Sequence, residues 1–389
     1  MKPDTTLTTA GRKPAANFGI VNPPVYHAST VLFATLDALE AAQHVREPGK
    51  VYYGRSGTPT TFALEEAVAA LEGGYRALIA PSGVSAIATA LLAFVKAGDH
   101  ILVADHVYGP TRRFCTTVLA RFGVTTTFYD PLIGAAIAEL IRPETRVLFL
   151  ESPGSLTFEV QDVPALAAAA RKAGVVSLLD NTWATPLYLK PLALGIDVSI
   201  QAATKYIAGH SDLMMGTVTA TEAAYPALAT AIRDLGACAG PDDVFLALRG
   251  LRTLGVRLPR HGATGLALAD WFARQPEVVR VLHPARAHDP GHALWKRDFT
   301  GATGLFAVEL APQPRPALAA LLDHLELFGM GYSWGGFESL MLPVDPAPLR
   351  TARPWSASGP LLRVHAGLED PDDLIGDLER GFARLRAAR

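Results

Sequence analysis

The 389-residue chain has only two cysteines, Cys115 and Cys238. They make no C-x-x-C pair and stand in no Cys/His cluster, so neither a disulfide framework nor a metal centre is indicated. No apolar run is long enough to cross a bilayer as a helix. The opening stretch MKPDTTLTTAGRKPAAN is polar and lacks the apolar core of a secretory signal, so a reducing cytoplasm is the compartment expected. Neither sign of charge is in excess: 35 basic and 37 acidic residues leave a formal −2. With no basic run and no basic–aromatic stripe, nothing suggests a nucleic-acid partner. No internal repeat and no appended helix-turn-helix segment is visible.

What the chain has is apolar content. At 49% hydrophobic it can fill a large core, and at roughly 100–200 residues per domain its length suggests two domains or more. Residues 1–57 carry little periodicity beyond a short helical stretch at Leu36–His44. They hold Tyr26, Phe33, Val51, Tyr52 and Tyr53, as a segment that wraps a partner would. From Thr60 an α/β rhythm sets in. Helices are predicted at Thr60–Leu71, Val84–Lys96, Pro110–Phe122, Ala135–Ile141 and Val163–Ala173. Strands are predicted at Ala77–Ala80, Ile101–Ala104, Val124–Tyr129 and Val147–Leu150, then at two further apolar runs ending near Asp180 and Ile200, and at Met215–Thr219. Strands alternating with helices imply a mainly parallel sheet. The amphipathic stretch Asp243–Leu258 links to a smaller α+β region, with helices at Gly262–Arg274, Pro316–Phe328 (closed by Gly329) and Pro371–Arg386. Its strands are predicted at Val278–Leu282, Leu305–Leu310, Ser339–Leu342 and Leu361–His365. The divisions expected are an arm over 1–57, an α/β domain over 58–252 and an α+β domain over 253–389.

The chemistry gathers around Val175–Ala220. Asp180 ends one apolar run, and Thr204-Lys205 follows the next (Val198, Ser199, Ile200). The C-terminal ends of parallel strands are where open α/β sheets place ligands. An amine there can form a Schiff base, and a carboxylate can hold a cationic ring nitrogen; pyridoxal 5'-phosphate (PLP) requires both. Pro81-Ser82-Gly83, between a strand and a helix, is either an anion site or an ordinary cap with Ser82 as N-cap. Arg55, in Tyr53-Gly54-Arg55, offers a planar fork suited to phosphate. Tyr108 follows a strand and can stack on a planar ligand. Tyr332-Ser333-Trp334-Gly335-Gly336 is dense in aromatic residues and glycine. Arg363 sits within an apolar strand and needs an anionic partner, either a structural acid or a substrate carboxylate.

Seven stretches carry a resemblance: YYGRSGTPT, ESPGSLTFEVQDVP, LLDNTWATP, SIQAATKYIAGHSD, RGLRTLGVRL, LFGMGYSWGGFESL and LLRVHAGLEDPDDL. Together they resemble the PLP enzymes of cysteine and methionine metabolism, the cystathionine lyases and synthases, and among these the bacterial β-lyase branch. The resemblance implies a type I aminotransferase-like fold and a homotetramer built as a dimer of dimers. By that resemblance Lys205 is the Schiff-base lysine, Asp180 pairs with the pyridine nitrogen, and Tyr108 stacks on the ring and serves catalysis. Gly83, Val84 and Thr204 bind the phosphate, reached also by Tyr53 and Arg55 of a neighbouring subunit. Arg363 and Ser333 hold the substrate α-carboxylate, with Tyr332 and Trp334 lining the substrate side.

The implied reaction is β-cleavage of L-cystathionine to L-homocysteine, pyruvate and ammonia, a step of methionine biosynthesis. Ala202, Pro110 and Tyr332 depart from the pattern of γ-acting relatives. Arg112 and Arg113 stand in a region that is acidic in the β-lyase pattern. Alternatives are a lyase or desulfhydrase acting on cysteine and its S-conjugates, a γ-acting relative, and a PLP-fold scaffold or regulator without catalysis.

Overall fold

Two sheets organise the chain in the computed structural model, which describes residues 1–44 and 47–389. The first holds β1 (Arg76–Ala80), β2 (His100–Ala104), β3 (Thr125–Tyr129), β4 (Thr145–Glu151), β5 (Val176–Asp180), β6 (Val198–Gln201) and β7 (Gly216–Ala220), in the order β1-β7-β6-β5-β4-β2-β3. Strands β2 to β6 pair in parallel, while β7 runs antiparallel to both β6 and β1. Two antiparallel steps restore direction, so β1 points the same way as the parallel set. Its central strands are buried on both faces, which is why they read as continuous apolar runs.

The second sheet holds β8 (Val278–Leu282), β9 (Leu305–Leu310), β10 (Phe328–Gly329), β11 (Ser339–Val344) and β12 (Leu361–His365), in the order β10-β11-β12-β9-β8. All its pairs but β10–β11 are antiparallel. The helices Leu254–Phe272 and Pro371–Ala387 cover it, with Phe272 packed edge to face on Phe306 and tilted against Phe382 in its core. Among the described residues no helix is long and apolar enough to cross a membrane.

Four elements differ from the sequence reading. Pro3–Thr9 is a helix, and its Leu7 is 2% exposed among Leu64, Leu251 and Leu254. The first residues of the arm therefore pack on their own chain. The stretch Pro110–Phe122 is helical only in part: Gly109–Phe114 widens into a π-helical turn over Cys115–Leu119. The amphipathic linking stretch 243–258 and the helix predicted at 262–274 are instead the helices Pro241–Arg252 and Leu254–Phe272, broken at Thr253, with Pro259 accommodated inside the second. The helix predicted to run to Phe328 stops at Leu322. Asp377 Oδ2 accepts from the N–H groups of Glu326 (3.0 Å) and Leu327 (2.8 Å), and the chain continues as β10, in which Gly329 is a strand residue.

Candidate active site

Because β1 to β6 share one polarity, the loops leaving β1, β2, β4, β5 and β6 meet at one edge of the first sheet. There β5 ends on Asp180, in register with Glu151 at the end of β4. Asp180 is 7% exposed. Its Oδ1 accepts from the Thr182 N–H (3.0 Å) and the Thr182 hydroxyl (2.5 Å). Thr182 Oγ1 accepts in turn from the N–H of Ala202 (2.8 Å), which ties the end of β5 to the loop carrying Lys205. Oδ2 has no hydrogen-bond partner among the described residues. Burial raises the Asp180 carboxyl, opposed by the Thr182 bonds and the charge of Lys205.

Lys205 lies just past β6, and its Nζ donates to Ser333 Oγ at 2.6 Å. It stands 5.5 Å from the centre of the Trp334 ring. Burial pushes its amine down to about 8; the charge of Arg363 adds to this and Asp180 opposes it. Ser333 has φ +79°, a left-handed conformation uncommon for a residue with a side chain. The turn is held from beneath: Trp334 packs on Tyr206 (5.4 Å between centroids), and the Gly335 N–H donates to His365 Nε2 (3.1 Å).

Arg363 occupies the middle of β12, between Leu342 and Ala307. Its Nη2 donates to the carbonyls of Ser333 (2.7 Å) and Gly331 (3.3 Å), while its Nε is buried without a partner. No acid pairs with it among the described residues, so the structural-acid alternative falls away. Tyr108 follows β2, and its N–H donates to Glu151 Oε2 at 2.7 Å. Burial, then the charges of Glu151 and Asp180, raise its phenol, and Arg363 opposes them. Lys205, Asp180, Tyr108, Arg363, Ser333 and Trp334 are therefore brought together.

At the strand β1 side, Ser82 Oγ accepts from the Ser85 N–H (3.1 Å) and caps the ten-residue helix Gly83–Leu92. The free N–H groups and dipole at its N-terminus suit an anion. A Cβ at Gly83 would lie 2.6 Å from that of Ala202, so glycine lets the helix start close against the Lys205 loop. Val84, next in this turn, is 39% exposed. Thr204 differs from expectation: its hydroxyl donates to Met215 O (3.1 Å) and accepts from Met215 N–H (2.9 Å), so its proton is engaged within the chain. Tyr332 also differs. It is 91% exposed and does not wall the site within one chain.

Tyr53 and Arg55 are not brought to Lys205 of the same chain. Arg55 Nη1 donates to Arg233 O (2.7 Å) and lines a separate cavity of about 1040 Å³ with Tyr52, Tyr75 and Arg76. Arg112 is buried, its guanidinium on Asp105 and 3.5 Å over the Phe128 ring, and Arg113 is exposed.

Sequence reasoning missed Glu151, whose carboxyl is pushed well up by burial and by Asp180. The apolar run before ESPGS placed it at a strand end and was the available signal.

The set fits PLP: a lysine amine of lowered basicity, a buried carboxylate with one unbonded oxygen, a capped helix N-terminus, and a guanidinium with an orphaned buried N–H.

The family of Cys/Met metabolism PLP-dependent enzymes matches residues 4–383. The cystathionine beta-lyase of Escherichia coli is 46% identical over 390 residues, covering 99% of either chain. That of Salmonella typhimurium is 46% identical over 388 residues, covering 98% of either chain. Among solved structures, a cystathionine gamma synthase from Xanthomonas oryzae pv. oryzae, in complex with aminoacrylate and cysteine, superposes with a TM-score of 0.91. It is 31% identical, with all of both chains covered.

Proposed function

Since the chain belongs to the PLP-dependent enzymes of cysteine and methionine metabolism, we propose that it is a carbon–sulfur β-lyase cleaving L-cystathionine to L-homocysteine, pyruvate and ammonia. The fold is the type I aminotransferase-like fold. The observation that carries the reading is the meeting of Lys205, Asp180 and the unpaired Arg363 at the C-terminal edge of the parallel sheet.

PLP, when bound, supplies an electron sink for the substrate α-carbon. Lys205 would hold it, and Asp180 would keep its ring nitrogen protonated by opposite charge. The N–H groups at Gly83 and Val84 would meet its phosphate, with Thr204 beside them. The chain's own groups do the rest. Arg363 takes the α-carboxylate on the N–H groups it leaves unused. Lys205 Nζ, aimed by Ser333 Oγ, removes the α-proton as general base. The Cβ–S bond then breaks, the sulfur leaves with its electron pair and takes from Lys205 the proton removed from the α-carbon, and water hydrolyses the remaining unsaturated amine to pyruvate and ammonia. Trp334, beside Nζ and wedged on Tyr206, restricts the longer swing that γ-cleavage requires. The cystathionine beta-lyase names of the relatives in E. coli and S. typhimurium support the same choice.

To the same reading belong a homotetramer built as a dimer of dimers, with Tyr53 and Arg55 lent to the neighbouring subunit, and a cytoplasmic setting. The divisions 1–57, 58–252 and 253–389 belong to it as well. The helix break at Thr253 supports the last boundary.

The test is product analysis. Purified protein is incubated with L-cystathionine and both keto acids are quantified by chromatography. Pyruvate with homocysteine is expected. Predominant 2-oxobutyrate would replace β- by γ-cleavage. Untouched cystathionine, with cleavage of another cysteine conjugate, would replace the substrate.

A further inference from the structure

The segment joining β11 to β12 leaves the second sheet and lies against the first sheet's edge at Asp105. This residue follows β2, is fully buried, and stands three residues before Tyr108. Its carboxylate collects an unusual number of donors from that segment. The N–H groups of Thr351 (2.9 and 3.0 Å, to Oδ1 and Oδ2), Ala352 (3.0 Å) and Arg353 (3.0 Å) all point at it. The Thr351 hydroxyl (3.0 Å) and Arg350 Nε (3.2 Å) join them. From its own side comes Arg112 Nη2. Arg350 then reaches past Asp105 and forks onto Glu159, Nη1 to Oε2 at 2.9 Å and Nη2 to Oε1 at 3.2 Å. Glu159 is also met by Thr157 Oγ1 (2.8 Å) and His106 Nδ1 (3.3 Å). Burial opposes ionisation of Glu159, yet the bonds and charges of His106 and Arg350 outweigh it and hold the carboxyl at about 2.

Each end of the Tyr108 turn is tied into this cluster. Before Tyr108, Asp105 is held by the segment, and His106 Nε2 bonds to the backbone carbonyl of Glu151 (2.8 Å). At Tyr108 itself, the N–H goes to the Glu151 carboxyl. After it, Arg112 returns to Asp105. Asp105, three residues before Tyr108, therefore takes most of its bonds from residues 350–353, ten residues before Arg363. A buried carboxylate loaded with charge-assisted bonds is rigid, because releasing any partner leaves a charge uncompensated.

We propose that Asp105 and Arg350 are positioning residues, forming a clasp that fixes the distance between Tyr108 on the first sheet and Arg363 on the second. The clasp thereby sets the length of the amino-acid substrate that fits between them. Neither residue touches the reacting atoms. Tyr108 and Arg363 act for them, and the consequence for substrate rests on the lyase reading above.

The test uses the cofactor-loaded full chain with Asp105→Asn, Arg350→Met, the pair together, and Thr351→Val as a mild variant that removes the hydroxyl's two bonds, to Asp105 and from Arg112, and keeps the backbone ones. Backbone hydrogen exchange is followed over residues 105–113 and 345–356, and steady-state kinetics on L-cystathionine beside it. Both segments are expected to lose protection together in each single variant while β4, β5 and β9 keep theirs. KM should rise about tenfold or more with a smaller fall in kcat, because a misplacement of about 1 Å can cost on the order of 100-fold. The pair should be no worse than the worse single variant, as for residues acting as one unit. Thr351→Val should move in the same direction by less.

Loosening of 345–356 alone, with 105–113 protected and KM unchanged, would reduce the cluster to a structural tether and overturn the proposal. So would a raised KM with no change in exchange at either segment. Joint loosening in a protein whose wild type leaves cystathionine untouched would uphold the clasp and overturn the lyase reading instead.

Discussion

Lys205 Nζ donates to Ser333 Oγ at 2.6 Å, and Ser333 makes this bond from a left-handed backbone, φ +79°. The strain and the bond belong together, since a relaxed Ser333 would aim its hydroxyl elsewhere. Ser333→Gly should relieve a cost of roughly 1–2 kcal/mol and remove the bond, leaving Tm unchanged or raised while kcat/KM falls about tenfold or more. Ser333→Ala should lose the same activity without the gain in Tm. Thermal unfolding and steady-state kinetics on the two variants separate strain from bonding.

The lowered basicity of Lys205 predicts how the apoprotein recaptures its cofactor. Only the neutral amine attacks the aldehyde, so the rate of loading should rise with pH through a midpoint near 8 and level off above it. An unperturbed lysine would keep rising past 10. Stopped-flow absorbance over pH 6 to 10 reads the midpoint directly. Lys205→Ala should bind the cofactor without the covalent absorbance band and show no turnover.

Arg55 lines a cavity that Lys205 of its own chain does not, but is expected at the neighbour's site. Inactive Arg55→Ala and inactive Lys205→Ala subunits, mixed and reassociated, should recover activity, because a hybrid dimer puts both lesions in one site and leaves the other intact. Hybrids shown to form by mass spectrometry, with no activity, would remove the cross-subunit role.

Three buried histidines set an acid limit. Burial first, with neighbouring cationic groups, holds His261 and His283 at about 4 and His365 at about 3, below the usual 6.5. Between 6.5 and those values the unfolded chain binds protons that the folded chain does not, so stability rises with pH there. The contribution is complete above about 6.5 and is lost as pH falls toward 4 to 3. Glu72 and Glu65, raised by burial to about 7 and about 8, act in the opposite sense over part of this range, so the check is comparative: calorimetry should show Tm falling less between pH 6.5 and 4 in a His283→Gln variant than in the parent protein.

The strands were legible because β2, β4 and β5 are buried on both faces and read as unbroken apolar runs between turn residues. Lys205 and Asp180 were legible because chemistry follows strand ends in such sheets. The helix Pro3–Thr9 was not, since its sequence is mostly threonine and it is stabilised by distant residues, through the burial of Leu7 and the Arg252 bond to the Leu7 carbonyl. Nor was the stop at Leu322, which depends on Asp377 some fifty residues later. The bonds of the Thr204 hydroxyl to Met215 were not legible either, because Met215 arrives only when β7 folds back beside β6. The Asp105 cluster joins residues nearly 250 positions apart, so the internal pairing of Arg112 could not be read from its sequence neighbourhood.

The shared polarity of β1 to β6 also bears on which lengths of chain can vary. Tyr108, Asp180 and Lys205 each sit at, or within a few residues of, the end of a strand whose side chains alternate between faces. An extra residue inside β5 would turn Asp180 to the opposite face and separate it from Lys205. The same residue added to the turn after Val163–Lys172, on the far edge, would lengthen a loop and leave the site in place. Insertions in this protein should therefore be tolerated in bands, free along the edge where strands begin and forbidden within the strands. A scan of single-codon insertions across 160–205 would print that pattern as alternating zones of active and inactive enzyme.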